Sequence, residues 1–135
     1  MRPFIATMIA AAAIAAVPAA AKEKLAPEAK LEKLLAGRVA GEPRDCLPLS
    51  QARSSQIIDG TAIVYRVGNT LWVNRPRSGA ESLDDDDILV TKTSGSQLCS
   101  IDTVHLHDRT GHFWRGFLAL GEFVPWRKVD TAAAN

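Results

Sequence analysis

Cysteine and histidine are scarce in this chain, at two and three of 135 residues. No C-x-x-C pair occurs, so the spacing that lowers a thiol pKa in redox proteins is missing. Serines are plentiful, but none stands in G-x-S-x-G or another nucleophile motif. Charge of either sign is not in excess, since 16 basic residues face 15 acidic ones. Nucleic acid is therefore not the expected partner, because neutralising phosphates takes a surplus of Lys and Arg. Docking on an anionic membrane by charge gains no support for the same reason. No second long apolar run follows the one at the N-terminus, so no transmembrane segment is expected beyond it. No repeat of fixed period is visible.

What is present begins with an export signal. Met1, Arg2 and Pro3 form a short basic start, residues 4–17 are uncharged and apolar, and residues 18–21 read Pro-Ala-Ala-Ala. This is a signal peptide over residues 1–21, with Lys22 as the expected mature N-terminus. A membrane anchor is the alternative, but the apolar run is short for a span. No cysteine lies near the cleavage site to accept a lipid. The Ala-rich apolar run fits bacterial export to the periplasm or the outside. Without Arg2, the remaining 114 residues carry 15 basic and 15 acidic side chains. In an oxidising compartment Cys46 and Cys99 are expected to form a disulfide. A closed loop of about 50 residues is worth roughly 4 kcal/mol in the chain-entropy account, useful to a domain this small.

Residues 22–41 predict one amphipathic helix. Pro27 suits a first turn, Glu28 complements the positive helix end, and Leu31, Leu34 and Leu35 make one stripe. Gly37 is the expected C-cap, or Arg38, Val39 and Ala40 continue the helix to Gly41. Its expected role is to dock on a sheet; binding a partner is the alternative. A β domain follows over residues 42–128, with a flexible tail at 129–135. Its organising stretch is the meander of residues 59–102. Asp59-Gly60 and Gly68-Asn69 signal hairpin turns. Residues 61–67 place Ile63, Tyr65 and Val67 on one face and Ala62, Val64 and Arg66 on the other. Residues 70–74 oppose Trp72 to Leu71 and Val73. Residues 88–93, 97–107, 112–120 and 122–126 read as further strands. The fold class is mainly β, a small antiparallel barrel or two-layer sandwich with a short N-terminal α-helix.

Four segments carry a family resemblance: GRVAGEPRDCLPL (37–49), IIDGTAIVYRVGNTLWVNRPRSG (57–79), ILVTKTSGSQLCSID (88–102) and LGEFVPW (120–126). The chain resembles a family of small exported proteins of sphingomonads and related alphaproteobacteria, a domain of unknown function. The resemblance implies export, a single mostly-β domain and the Cys46–Cys99 pair. Some members carry further cysteines after the NRPRSG segment and before LGEF, where Ala80 and Leu118 stand here. No second bridge is therefore expected. The family supplies no catalytic residue and does not require histidine at the positions considered next.

His105 and His107 lie two apart on one strand face, and His112 follows across a turn. Three imidazoles with an open fourth position would make a zinc-type site, oriented by Asp102 or Asp108. Equally, they are polar residues alternating with core Val104 and Leu106. The run Asp84 to Asp87 lacks the spacing of a calcium loop and reads as a solvated turn, paired with Arg75 and Arg77. If free, those two arginines would clamp a carboxylate or phosphate. Trp72 and Trp114, if exposed, would be sugar- or protein-binding platforms, whereas Trp126 is expected beneath the helix. The reading is a non-enzymatic binding or inhibitor-like module of the cell envelope with no cofactor. It would meet an envelope protein or a glycan through exposed aromatics and the 75–87 loop. The alternative is a metal-binding or metal-dependent protein using His105, His107 and His112.

Overall fold

Helix α1 covers Pro27–Leu35 in the computed structural model, which describes residues 24–130. The signal peptide expected over residues 1–21 and residues 131–135 of the expected tail lie outside the described residues. Pro27 opens α1, Glu28 sits in its first turn, and Leu31 and Leu35 are buried beside the half-buried Leu34. The helix does not run on to Gly41. Gly37 takes a φ of +72°, a conformation other residues adopt at a cost, and turns the chain into strand β1, Arg38–Ala40. The Val129 N–H donates to the Gly37 carbonyl at 3.1 Å, tying this corner to the C-terminal strand.

The remaining strands are β2 (Cys46–Pro48), β3 (Ser54–Ile58), β4 (Ala62–Val67), β5 (Thr70–Asn74) and β6 (Ile88–Thr91). They continue with β7 (Gln97–Cys99), β8 (Thr103–His107), β9 (Trp114–Ala119) and β10 (Phe123–Lys128). All pairs are antiparallel, in three sheets ordered β1-β10-β5-β4-β3, β2-β7 and β6-β8-β9. Gly60 and Gly68, each at positive φ, form the two hairpin turns that the sequence signals. The strand expected over residues 97–107 is interrupted. The Asp102 carboxylate accepts from the Cys99 N–H at 2.7 Å, and the Asp102 N–H donates to the Cys99 carbonyl. That small turn sends β7 to pair with β2 and β8 to pair with β6 and β9.

Both faces of the five-stranded sheet are apolar, and each is covered. Ile58, Ala62, Val64, Leu71 and Val73 pack under α1, with Trp126 beside them. Ile57, Ile63, Tyr65, Trp72 and Phe123 face the two smaller sheets, meeting Leu47, Leu98, Val104, Leu106, Leu118 and Leu120. Full burial of one Leu or Phe is worth about 1.5–3 kcal/mol, so this inter-sheet layer dominates the stability. The alternation expected for residues 61–74 is the alternation observed. The sheets stack as layers and do not close into a barrel, because no pairing joins the β3 edge to the β6 edge. Cys46 and Cys99 are bonded and stand directly opposite each other in the β2–β7 register.

Candidate partner-binding face

The outer face of β6-β8-β9 is the one sheet surface of the described residues that leaves large aromatics in solvent. On β8, Val104 and Leu106 point inward and are buried, which turns His105 and His107 outward. Opposite them on β9 stand Phe117 and Trp114, paired with His105 and His107 respectively. Residues three apart on a regular strand point to opposite faces, so this pairing needs an irregularity. It is a β-bulge: Leu106 pairs with Gly116 and His107 with Trp114, leaving Arg115 as the extra residue. Gly116, next to the extra residue, has a φ of +153°, which side-chain-bearing residues rarely adopt. Trp114 is 59% exposed and Phe117 54%, and Phe113 beside them reaches 74%. Neither member of the Phe113-Trp114 pair enters the core.

The bulge also gives Arg115 its position. Its guanidinium donates to Oδ1 of Asp87 at 2.5 Å, and Asp84 lies within 3.9 Å. Those carboxylates, Asp87 first, hold the Arg115 pKa above its ordinary value. The pair anchors the outer strand of the sheet to the loop that precedes β6.

The histidines are held singly. The Trp114 indole N–H donates to Nδ1 of His105 at 3.2 Å, and the His105 ring stacks at a tilt against Phe117, centroids 6.5 Å apart. An indole N–H can only donate and a carbonyl can only accept. His105 therefore offers a lone pair at Nδ1, whereas His107 carries a proton there, 3.1 Å from the carbonyl of His112. His112 sits at positive φ in the turn, contributing its backbone to His107. Asp108 accepts from the Gly111 N–H and Asp102 from the Cys99 N–H, so neither orients an imidazole. His105, His107 and His112 are not brought together as a ligand set. Among the described residues, only Asp59, Asp84 and Asp85 place three ligand atoms within 4.8 Å of one another.

That acidic group is part of a charge-paired turn. Asp59 accepts from the Asp85 N–H, Lys30 reaches Asp85 at 3.4 Å, and Arg109 reaches Asp86 at 3.2 Å. The aspartates are thus paired by Lys30, Arg109 and Arg115, not by Arg75 and Arg77 as expected from the sequence. Arg75 forms a two-pronged ion pair with Glu28 of α1, which lowers the Glu28 pKa. Arg77 donates to the carbonyls of Leu120 at 2.8 Å and Ser100 at 2.7 Å. Neither arginine is free to clamp an anion. Trp72 is not the exposed platform considered above: it is 7% exposed, packed in the inter-sheet core with the Arg44 guanidinium over its ring. A consequence is that Arg77→Ala lowers the stability by about 1–2 kcal/mol, since two backbone acceptors lose a charged donor. Arg77→Lys recovers part of this, because an ammonium lacks the fork that spans both carbonyls. Chemical denaturation of the three proteins checks the order.

No protein-family model, curated protein or solved structure matches this chain. The family resemblance thus rests on the four quoted segments. One feature of the site and one of the fold behind it are not among the sequence expectations. The bulge was signalled by Arg115-Gly116 interrupting an aromatic-rich strand, since glycine inside a strand often marks one. The second is buried Asn74, which binds both backbone groups of Gly121 and fixes the connection from β9 into β10.

Proposed function

We propose that this chain is an exported, non-enzymatic binding module of the bacterial cell envelope, working through the outer face of β6-β8-β9. The observation that carries the reading is the row formed by Trp114, His105 and Phe117. It is an exposed aromatic platform on strands whose inner faces are locked in the core. Such residues bring large contact area at little entropic cost, which is why they recur at binding hot spots. The disulfide fits an oxidising compartment, and among the described residues no helix is long and apolar enough to cross a membrane. An envelope protein or glycan is the partner class that suits such a platform on a near-neutral chain.

The test is retention of the purified mature protein on isolated peptidoglycan and its crosslinking in envelope extracts, comparing wild type with Trp114→Ala/Phe117→Ala. The two side chains are solvent-exposed, so the variant should keep its unfolding midpoint. Loss of at least about tenfold in retention or crosslinking is expected, as for truncation of aromatic hot spots. Equal retention by the two proteins, or none by either, sinks the reading. Zinc, copper and nickel analysis after reconstitution addresses the metal alternative: stoichiometric metal lost on His105→Ala would restore it. Export itself is checked by N-terminal sequencing, which should begin at Lys22.

A further inference from the structure

Two sheets end beside each other without joining. Strand β3 is the edge of the five-stranded sheet and β6 an edge of the three-stranded one, and no backbone hydrogen bond links them. Between them lies a cleft of about 480 Å³. Ser55, Gln56 and Ile57 of β3 form one wall, and Ile88 and Leu89 of β6 form the other. One end is pinned: the Gly60 N–H donates to the Leu83 carbonyl at 3.0 Å, and the Asp85 N–H to Asp59 at 2.7 Å. Strand β3 runs into that pinned end and β6 leaves it, so the two edges are mutually antiparallel.

We propose that this cleft accepts an extended segment of a partner polypeptide, which adds as a strand between β3 and β6. An edge strand presents unpaired N–H and C=O groups at alternate residues, and a polypeptide strand is the ligand whose donors and acceptors repeat at that spacing. The walls set the length and the pattern. Edges of five and four residues accommodate a segment of similar length. Ile57 and Leu89 belong to the inter-sheet core side of the cleft, so inward positions of the ligand are apolar. Lys30, Asp85 and Arg109 also line the cleft, so ligand positions turned away from the core are polar or charged. Asp87, also in the lining, is 4% exposed and its Oδ2 has no hydrogen-bond donor among the described residues. A buried acceptor without a donor is costly, so a ligand side chain that carries a donor is favoured at this end of the cleft. The inserted strand runs antiparallel to one wall and parallel to the other, completing a continuous sheet from the two open ones. This site is separate from the Trp114–Phe117 platform, which lies toward the opposite edge of the three-stranded sheet.

The test is NMR titration of the mature protein with the capped hexapeptides Ac-VKVTVK-NH2 and Ac-VEVTVE-NH2. The comparison is the same peptides N-methylated at alternate residues. Expected are saturable shifts centred on residues 54–58 and 88–91, with slowed amide exchange there, and their loss on N-methylation. Ser55→Lys places a charge on the inward side of the edge and should weaken binding by about tenfold while the protein stays folded. Absence of wall shifts with both unmethylated peptides at millimolar concentration overturns the proposal. So do shifts centred on Trp114, binding that survives N-methylation, or edge protection that depends on protein concentration without peptide. The last result would assign the edges to a second copy of this chain.

Discussion

Removing the disulfide by Cys46→Ala/Cys99→Ala is expected to cost about 4 kcal/mol and to lower the thermal midpoint by roughly 15 °C. The bonded residues are 53 apart in sequence, so the bridge closes a long loop and restricts the unfolded chain accordingly. Its local setting argues the same way. Strands β2 and β7 are three residues each and pair only with one another, a ribbon that is not stable alone. Yet that ribbon supplies Leu47 and Leu98, both essentially fully buried in the inter-sheet core. Without the covalent tie, these leucines leave the core at little cost in pairing. The loss is a large share of the 5–15 kcal/mol typical of a domain. Thermal unfolding of the oxidised protein and the double variant measures it, and hydrogen exchange should show β2 and β7 loosening first. A midpoint shift of only about 2–3 °C would mean that the ribbon holds itself.

The parts of the fold legible in the sequence were those set by short-range pattern. Ile63, Tyr65 and Trp72 alternate with Val64, Leu71 and Val73 because both faces of β4 and β5 are covered, and turn glycines mark the hairpins. Arg38 to Ala40 misled because its strand exists only through β10, some ninety residues later. Nothing local distinguishes it from a helical extension. Residues 97–107 misled for a related reason. The Asp102 side chain mimics a turn that no Gly or Pro announces, and two sheets compete for the strand on either side. The site was legible in part. Trp114 was a candidate and is exposed, but which tryptophan would be buried depended on Phe123 and Tyr65 packing around Trp72. Sequence alone leaves the arginines of the 75–87 loop without partners and so available to clamp an anion. Their partners, Glu28 for Arg75 and the Leu120 and Ser100 carbonyls for Arg77, come from segments distant in sequence.

Asn74→Ala should destabilise the protein by about 3 kcal/mol, nearly as much as losing the disulfide, although a single exposed-looking amide is changed in the sequence. Asn74 is completely buried at the end of β5. Its Nδ2 donates to the Gly121 carbonyl at 2.8 Å, and its Oδ1 accepts from the Gly121 N–H at 3.0 Å. Alanine strands both of those buried backbone groups at once, in the connection where the chain crosses from β9 to β10. Glycine is required on the other side of the clasp: a Cβ at residue 121 would collide with the Arg75 carbonyl oxygen. Gly121→Ala is therefore expected to be comparably damaging. Asn74→Asp separates the two hydrogen bonds by pH. The carboxylate still accepts from the Gly121 N–H but meets the Gly121 carbonyl with no donor, so burial and that carbonyl raise its folded-state pKa. Below the ordinary aspartate value of about 3.9 both states are protonated and the donor is restored. The gap between Asn74→Asp and wild type should then be small in acid, widen as the pH rises from about 4 to the raised folded-state pKa, and stay constant above it. Denaturant melts of both proteins across that range measure the gap. A pH-independent difference would mean that a carboxyl at residue 74 is neither desolvated nor faced by the Gly121 carbonyl, and would overturn the clasp.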